Sequence, residues 1–296
     1  MFRTVLLGLI YVFIVTSMLS IGFGLSLKDV IASLEKHWML LRSVVINLVA
    51  IPAAAIFIAY LLGLSGAVLF GFLFMACAPG ASYAPRITEF ANGDVGHSTG
   101  LMFFLCTIAV FSAPFTLMLA LPETYGIDPW PVIETLAVIQ MIPLFLGMFI
   151  RSYRPLLGKK LSAPAFWASN ISALVVVVVS LVIIFLSESN GGFFSQITGT
   201  LGVPAIILAV IISVFIGYFF GGENTGEKKS MAISSVNRNA GVAFLIAVSG
   251  MSMISEVVIM IIAYIIVQTL VSGGLAGYWL WKDLKAGKKT ILSGDA

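Results

Sequence analysis

The chain alternates long apolar runs with short polar ones. About 20 apolar residues cross a bilayer as a helix. Nine runs qualify, at about 5–25, 39–62, 65–91, 95–121, 130–150, 163–186, 201–221, 230–252 and 254–281. The first is expected to span: it runs about 20 residues, and no small-x-small cleavage pattern follows it, so it does not read as a signal peptide. Between the first two runs, the stretch from Ser26-Leu27-Lys28-Asp29 to Glu35-Lys36-His37 is short and amphipathic, and predicts an interfacial helix. The longest connection, about 187–200, is too short for a soluble domain. The pattern therefore predicts an all-α membrane protein of about nine transmembrane helices in a single transmembrane domain, 1–296.

Composition agrees. Hydrophobic residues are 60% of the chain and charged residues 10%, against ~25% charged in soluble domains. Disorder, collagen, a nucleic-acid-binding domain and a secreted disulfide scaffold are excluded. Cys77 and Cys106 lie far apart in apolar runs and cannot form a cysteine metal cluster by themselves.

Charge placement tests the span count. With nine spans and the C-terminus inside, the inner segments carry Lys28, Lys36, Arg42, Arg151, Arg154, Lys159, Lys160, Lys228, Lys229, Lys282, Lys285, Lys288 and Lys289, which is 13 of the 16 basic residues. The outer segments carry Arg3, with the acids Glu123, Asp128 and Glu188. Such a bias follows the positive-inside rule and predicts an N-outside, C-cytoplasmic protein of a plasma or bacterial inner membrane. Trp130, Trp167, Trp279 and Trp281, near span ends, are expected to form aromatic belts.

Two spans are poor helices. The third contains Cys77-Ala78-Pro79-Gly80-Ala81-Ser82-Tyr83-Ala84-Pro85-Arg86. Each proline lacks an N–H and clashes with a carbonyl one turn back, and Gly80 loosens the chain between them. The eighth contains Ser234-Ser235-Val236-Asn237-Arg238-Asn239-Ala240-Gly241, whose first six residues include five polar ones. Backbone breaks inside a membrane only where protein or water covers it. A pair of interrupted spans, one in each half and running oppositely, points to a transporter's binding site.

Arg86 and Arg238 are the two basic residues within spans. Each costs roughly 2.5–3.5 kcal/mol at a helix centre on insertion scales. At 1.5 Å per residue Arg86 lies about 30 Å from the outer start of its span, and Arg238 about 12 Å from the inner start of its own. Both are expected in the cytoplasmic half. Snorkelling to the interface competes with a binding role for both, and Glu89 at i+3 could pair with Arg86. His97 is expected to make a local hydrogen bond rather than relay protons, and Glu134 and Glu256 read as first-turn acids. Asn47 and Gln268 are buried amides that could line a cavity or bond a neighbouring helix. There is no GxxxxGK[ST] loop, HExxH or paired-cysteine motif, and no potassium-filter sequence. These absences favour a carrier over an enzyme or channel. A membrane enzyme would have only His97, Asp94, Glu89 or Glu134 as acid or base.

The run from Ala78-Pro79-Gly80-Ala81-Ser82-Tyr83-Ala84-Pro85-Arg86 to Thr88-Glu89-Phe90-Ala91-Asn92-Gly93-Asp94 resembles the signature C-P-G-G-x-x-S-N-x-x-T-x-x-A-x-G-[DN] of the bile acid:sodium symporter superfamily. Ser17-Met18 through Gly22-Phe23-Gly24-Leu25-Ser26-Leu27-Lys28-Asp29 and Asn237-Arg238-Asn239-Ala240-Gly241 are similar to two further segments of that family. The resemblance implies inverted repeats, two broken helices crossing at mid-membrane, a panel (parts of about 5–62 and 130–186) and a core (about 65–121 and 201–281). It implies uptake of organic anions, often driven by sodium, by alternating access.

Several positions depart from the family pattern. A Ser-Asn pair that supplies sodium ligands aligns with Ala84-Pro85, a shared glutamate with Ser234, a glutamine with Arg238, and a threonine with Met102. Ser98, Asn47 and Asn239 are kept. The resemblance thus implies a depleted ion site at Asn47, Ser98, Ser234 and Ser235, with sodium coupling lost or weakened and no other cofactor. The substrate positions expected are Ser82, Arg86, Asn237, Arg238, Asn239 and Gln268. The function expected is secondary transport of a small organic anion. The alternative is a sodium-independent facilitator or channel-like conductor on the same fold.

Overall fold

A computed structural model of the chain describes residues 2–121, 128–187, 200–250 and 254–290. Twelve helices are found among them: α1 Phe2–Gly24, α2 Leu27–Glu35, α3 His37–Leu61, α4 Gly66–Ala76, α5 Ala84–Phe90, α6 Val95–Ala120, α7 Pro129–Tyr153, α8 Pro155–Ser187, α9 Gly202–Phe220, α10 Thr225–Val236, α11 Ala240–Gly250 and α12 Ile254–Lys285. Seven of these are long and apolar enough to cross a bilayer: α1, α3, α6, α7, α8, α9 and α12. The broken pairs α4–α5 and α10–α11 stand where the third and eighth spans are expected. Glu123, Glu188, residues 188–199 and the side chains of Arg3 and Glu256 lie outside the described residues.

Element ends follow local chemistry. Ser26 caps α2 with a capping box: its hydroxyl accepts from the Asp29 N–H, and the Asp29 carboxylate accepts from the Ser26 N–H at 2.8 Å. Leu27, Ile31 and Leu34 form an exposed apolar stripe on α2, as an interfacial helix requires. α10 begins five residues before the expected 230, because the Asn224 side chain accepts from the Glu227 N–H at 2.9 Å. α8 likewise starts at Pro155 rather than 163, with proline in the first turn where its missing N–H does no harm.

Two crossing helices carry π-helical turns, Ile46–Ala50 in α3 and Ala137–Met141 in α7. Each lies just ahead of a proline, Pro52 or Pro143. The missing proline N–H frees a carbonyl four residues back, inside the π turn in both cases. The turns set the buried amides Asn47 and Gln140 into the protein. Gln140 Nε2 donates to the Cys106 carbonyl at 2.6 Å.

α1 packs chiefly against α8 and α7, and these three form one layer. Gly22 and Gly147 let α1 and α7 touch backbone to backbone, since a Cβ on Gly22 would run into the Leu144 carbonyl. In the second layer α3, α4, α9 and α12 pack together, with α6 against α5 and α10. α4 is apolar all round because it is buried all round, with every residue from Leu69 to Ala76 inside.

The segments assigned to the inner side by charge gather at one face. Lys36 pairs with Asp94 and Glu227, both at 3.1 Å. Lys229 pairs with Asp283, which also receives Lys288 at 3.0 Å. The Leu27 N–H donates to Ser152 Oγ at 3.0 Å, tying α2 to the end of α7. Trp279 departs from the expected belt: it is buried, stacked on Tyr218 with centroids 5.8 Å apart. Trp130, Trp167 and Trp281 are exposed, as lipid-facing anchors are.

Candidate functional site

The two breaks meet. Pro79 and Arg238 form an isolated antiparallel bridge, and the Asn239 N–H donates to the Ala78 carbonyl at 2.7 Å. Asn239 Nδ2 donates to the Gly80 carbonyl at 3.2 Å, while its Oδ1 accepts from the Val242 N–H at 3.3 Å and caps α11. Gly80 has φ +91°, and a Cβ there would lie 2.9 Å from the Cys106 nitrogen. Only glycine fits both the conformation and the space.

A break in a membrane must satisfy its freed backbone groups. Gln268 of α12 does this for Arg238. Its Oε1 accepts from the Arg238 N–H at 2.9 Å, and its Nε2 donates to the Arg238 carbonyl at 3.3 Å and to the Tyr83 hydroxyl at 2.7 Å. One amide thus holds both breaks. Asn237 is held by its own helix end: its Nδ2 donates to the Ile233 carbonyl at 2.8 Å, and its Oδ1 accepts from Ser272 at 3.1 Å.

Beside the crossing lies a cavity of about 470 Å³. Its walls come from both layers: Phe13 of α1 and Leu174 and Val177 of α8 on one side, the breaks, Phe244 and Ile265 on the other. Most of the lining is apolar. Its polar groups are Ser82, Tyr83, Ser169, Asn170, Asn239 and Thr269, and Arg238 and Ala240 complete the wall at the start of α11. A similar volume, about 490 Å³, lies under α2 at the charged face. There Lys36 and Asp94 pair with each other, which leaves less charge free for a ligand.

The Arg238 side chain is fully buried. Its Nη1 donates to the Asn47 carbonyl in the α3 π turn at 3.3 Å, and Nε and Nη2 have no partner. No residue of α3 lines the cavity. Asn47 Nδ2 donates to the Ser43 carbonyl at 3.0 Å and reaches Ser235 Oγ at 3.4 Å, and its Oδ1 is buried without a partner. A chain of hydroxyls joins α5, α6 and α10: Thr88 Oγ1 donates to Ser98 Oγ at 3.1 Å, and Ser98 and Ser234 share a hydrogen bond at 3.2 Å.

The expected site residues therefore separate. Ser82, Arg238 and Asn239 reach the cavity. Asn237 and Gln268 are buried in backbone clamps beside it. Asn47 and Ser235 form one contact and Ser98 and Ser234 another. Arg86 is exposed and stacks over the Phe166 ring of α8 at 4.3 Å, a cation–π contact, and the ion pairs among described residues include none to Glu89. His97 bonds Ser43 of α3 through Nε2 at 3.2 Å. Sequence reasoning passed over Tyr83, Ser169, Asn170, Thr269 and Thr88. The signal for two of them was present, as Ser169-Asn170 interrupts an otherwise apolar span.

The sodium bile acid symporter family model matches residues 10–191. The chain belongs to that family. It is 24% identical over 289 residues to an uncharacterized sodium-dependent transporter of Bacillus subtilis, YocS, covering 95% of this chain and 87% of the relative. It is also 23% identical over 137 residues to a probable sodium/metabolite cotransporter of Arabidopsis thaliana chloroplasts, BASS1, covering 46% of this chain and 34% of that one. Membership makes the chain an integral membrane transporter for a small solute, not an enzyme. The crossing breaks and the cavity between two helix layers suit that role.

Proposed function

We propose that this transporter carries a small organic anion by alternating access through the cavity between α1–α8 and the crossing. The observation that carries the reading is the start of α11 at the cavity wall. Asn239 and Ala240 stand there, so the positive end of the helix dipole faces the space, with the buried charge of Arg238 directly behind it. The rest of the wall is apolar, which suits a solute with one anionic end and a hydrocarbon body. A volume of about 470 Å³ falls within the usual range for small-molecule sites, roughly 300–1,000 Å³. The cavity's position supports alternating access: one wall belongs to each layer, so relative movement of the layers would change which side it opens to.

Thermal unfolding of the purified protein with a panel of aliphatic and aromatic carboxylates and sulfonates tests this. A ligand at 100 times its Kd stabilises by about 2.7 kcal/mol. At least one amphipathic anion is expected to raise the Tm, while matched neutral amides do not. Ala173→Phe, which fills the cavity from α8, should remove the shift and leave the baseline Tm nearly unchanged. Stabilisation by neutral analogues alone, or a shift that survives Ala173→Phe, would remove the anion site from this cavity.

A further inference from the structure

Two helix C-termini meet behind the crossing. α4 ends at Ala76 with Cys77 as its C-cap, and α10 at Val236 with Asn237 as its C-cap. Each end carries about half a negative elementary charge. In broken-helix transporters, half-helix C-termini and unwound carbonyls are where a coupling cation is held. Arg238 follows the end of α10 directly. Its guanidinium is fully buried, Nη1 sits on the Asn47 carbonyl, and Tyr264 and Cys77 are the titratable groups that act on it. No carboxylate among the described residues pairs with it. A buried cation without an acid partner is costly and needs a reason. The two helix ends and the π-turn carbonyl supply one.

We infer that Arg238 is a built-in cation: its guanidinium takes the place that a sodium ion takes between such helix ends, and the protein works without sodium there. Sodium does not fit beside it. At about 4 Å and an effective dielectric near 20, a second positive charge binds roughly 1,000-fold more weakly. The hydroxyls of Thr88, Ser98 and Ser234 offer no alternative seat, because they bond to one another and bring no negative charge. Asn47 Oδ1 points the other way. It is a buried acceptor with no partner, on the residue whose carbonyl anchors the guanidinium. Removing the guanidinium should leave a seat for a small cation.

The inference does not depend on which solute the cavity carries, so sodium itself is the probe. Thermal unfolding is followed as choline chloride is exchanged for sodium chloride at constant ionic strength, with potassium chloride as control. The native protein is expected to show the same Tm in all three salts. Arg238→Gln is expected to unfold earlier in choline and to gain about 2–4 °C in sodium with saturation. Arg238→Lys, which keeps the charge, should stay indifferent to sodium. Saturable, sodium-specific stabilisation of the native protein overturns the inference, and so does a folded Arg238→Gln protein that ignores sodium. If Arg238→Gln is recovered in no salt, Arg238→Lys decides: recovery with a salt-independent Tm supports a required fixed charge, and loss of both variants refutes it. A solute screen run in choline reads the carrier proposal separately, so either can fail alone.

Discussion

Two buried cations sit on the same short helix or just past its end, and they are treated differently. Lys229 lies in α10 with its side chain 3% exposed. It is paired with Asp283 and donates to the Ala91 carbonyl at 2.8 Å, and Asp283 is held further by Lys288 and by Asn92 Nδ2 at 3.4 Å. Arg238 is equally buried, brings five donors, and places one side-chain bond on a carbonyl. Lys229 staples three elements, the end of α5, α10 and α12, near the charged face. Arg238 staples little. Burial of a charge therefore does not mark function by itself. Incomplete satisfaction does, because folding alone gives no reason to keep it.

The contrast is broken most directly at Asp283. Asp283→Ala leaves Lys229 buried and unpaired, at an expected loss of about 3–5 kcal/mol. Lys229→Met combined with Asp283→Leu should recover most of that, since a buried pair is often replaceable by apolar residues. Reversible denaturation in detergent or nanodiscs measures both. A loss under about 1 kcal/mol in the single variant would mean that water reaches Lys229, and the two cations would no longer differ in kind.

Next in size is Gln268→Leu. It strips the partner from the Arg238 N–H and carbonyl and from the Tyr83 hydroxyl. Leaving buried polar groups unmade costs about 1–3 kcal/mol. Gln268→Glu keeps one acceptor for the N–H and should fall between native and leucine. If leucine costs nothing measurable, the break is hydrated, and the dry clamp described here is replaced by water.

The breaks were legible because covalent chemistry announces them. Pro79 and Gly80 fall in the break after α4, Pro85 stands in the first turn of α5, and five polar residues in six at Ser234–Asn239 are costly in lipid. Depth was legible too, from rise per residue. Direction around the helix was not. Arg238, Asn237 and Gln268 are close to the cavity in depth, so sequence reasoning sets all three on its wall. In the structure Arg238 lines the cavity but places its one side-chain bond on the Asn47 carbonyl of α3, and Asn237 and Gln268 spend their amides on backbone. Arg86 was placed by depth in the same way, but it finds Phe166 instead. The π turns were written in Pro52 and Pro143, yet a proline in a span reads equally as a kink until a neighbouring helix shows which amide needs space. Trp279 looked like an interfacial anchor because it sits near a span end, and only the packing of Tyr218 reveals it as core.

The smallest expected effect separates the charged face from both buried cations. Lys36 is 54% exposed and bridges Asp94 and Glu227. Its hydrogen bonds to the Glu227 and Asp94 carboxylates raise the ammonium above the ordinary 10.5 against some burial. Burial pushes the Asp94 carboxyl up, but the His97 N–H and the Lys36 ammonium outweigh it and hold it below 3.8. The Asp94 contribution is therefore present above its ordinary value and lost as pH falls through the lower folded one. The Lys36 contribution is present below 10.5 and lost as pH rises through the higher folded one. Lys36→Ala should cost about 0.2–1 kcal/mol, the range of exposed pairs. The cost should be flat between about pH 5 and 9 and shrink toward the acid end. It should also fade near 1 M salt, where the Debye length is about 3 Å, whereas the Asp283→Ala loss should persist. A step between about pH 5 and 8 would instead assign the effect to a histidine. In that case the face would be a titrating switch rather than a screened ion pair.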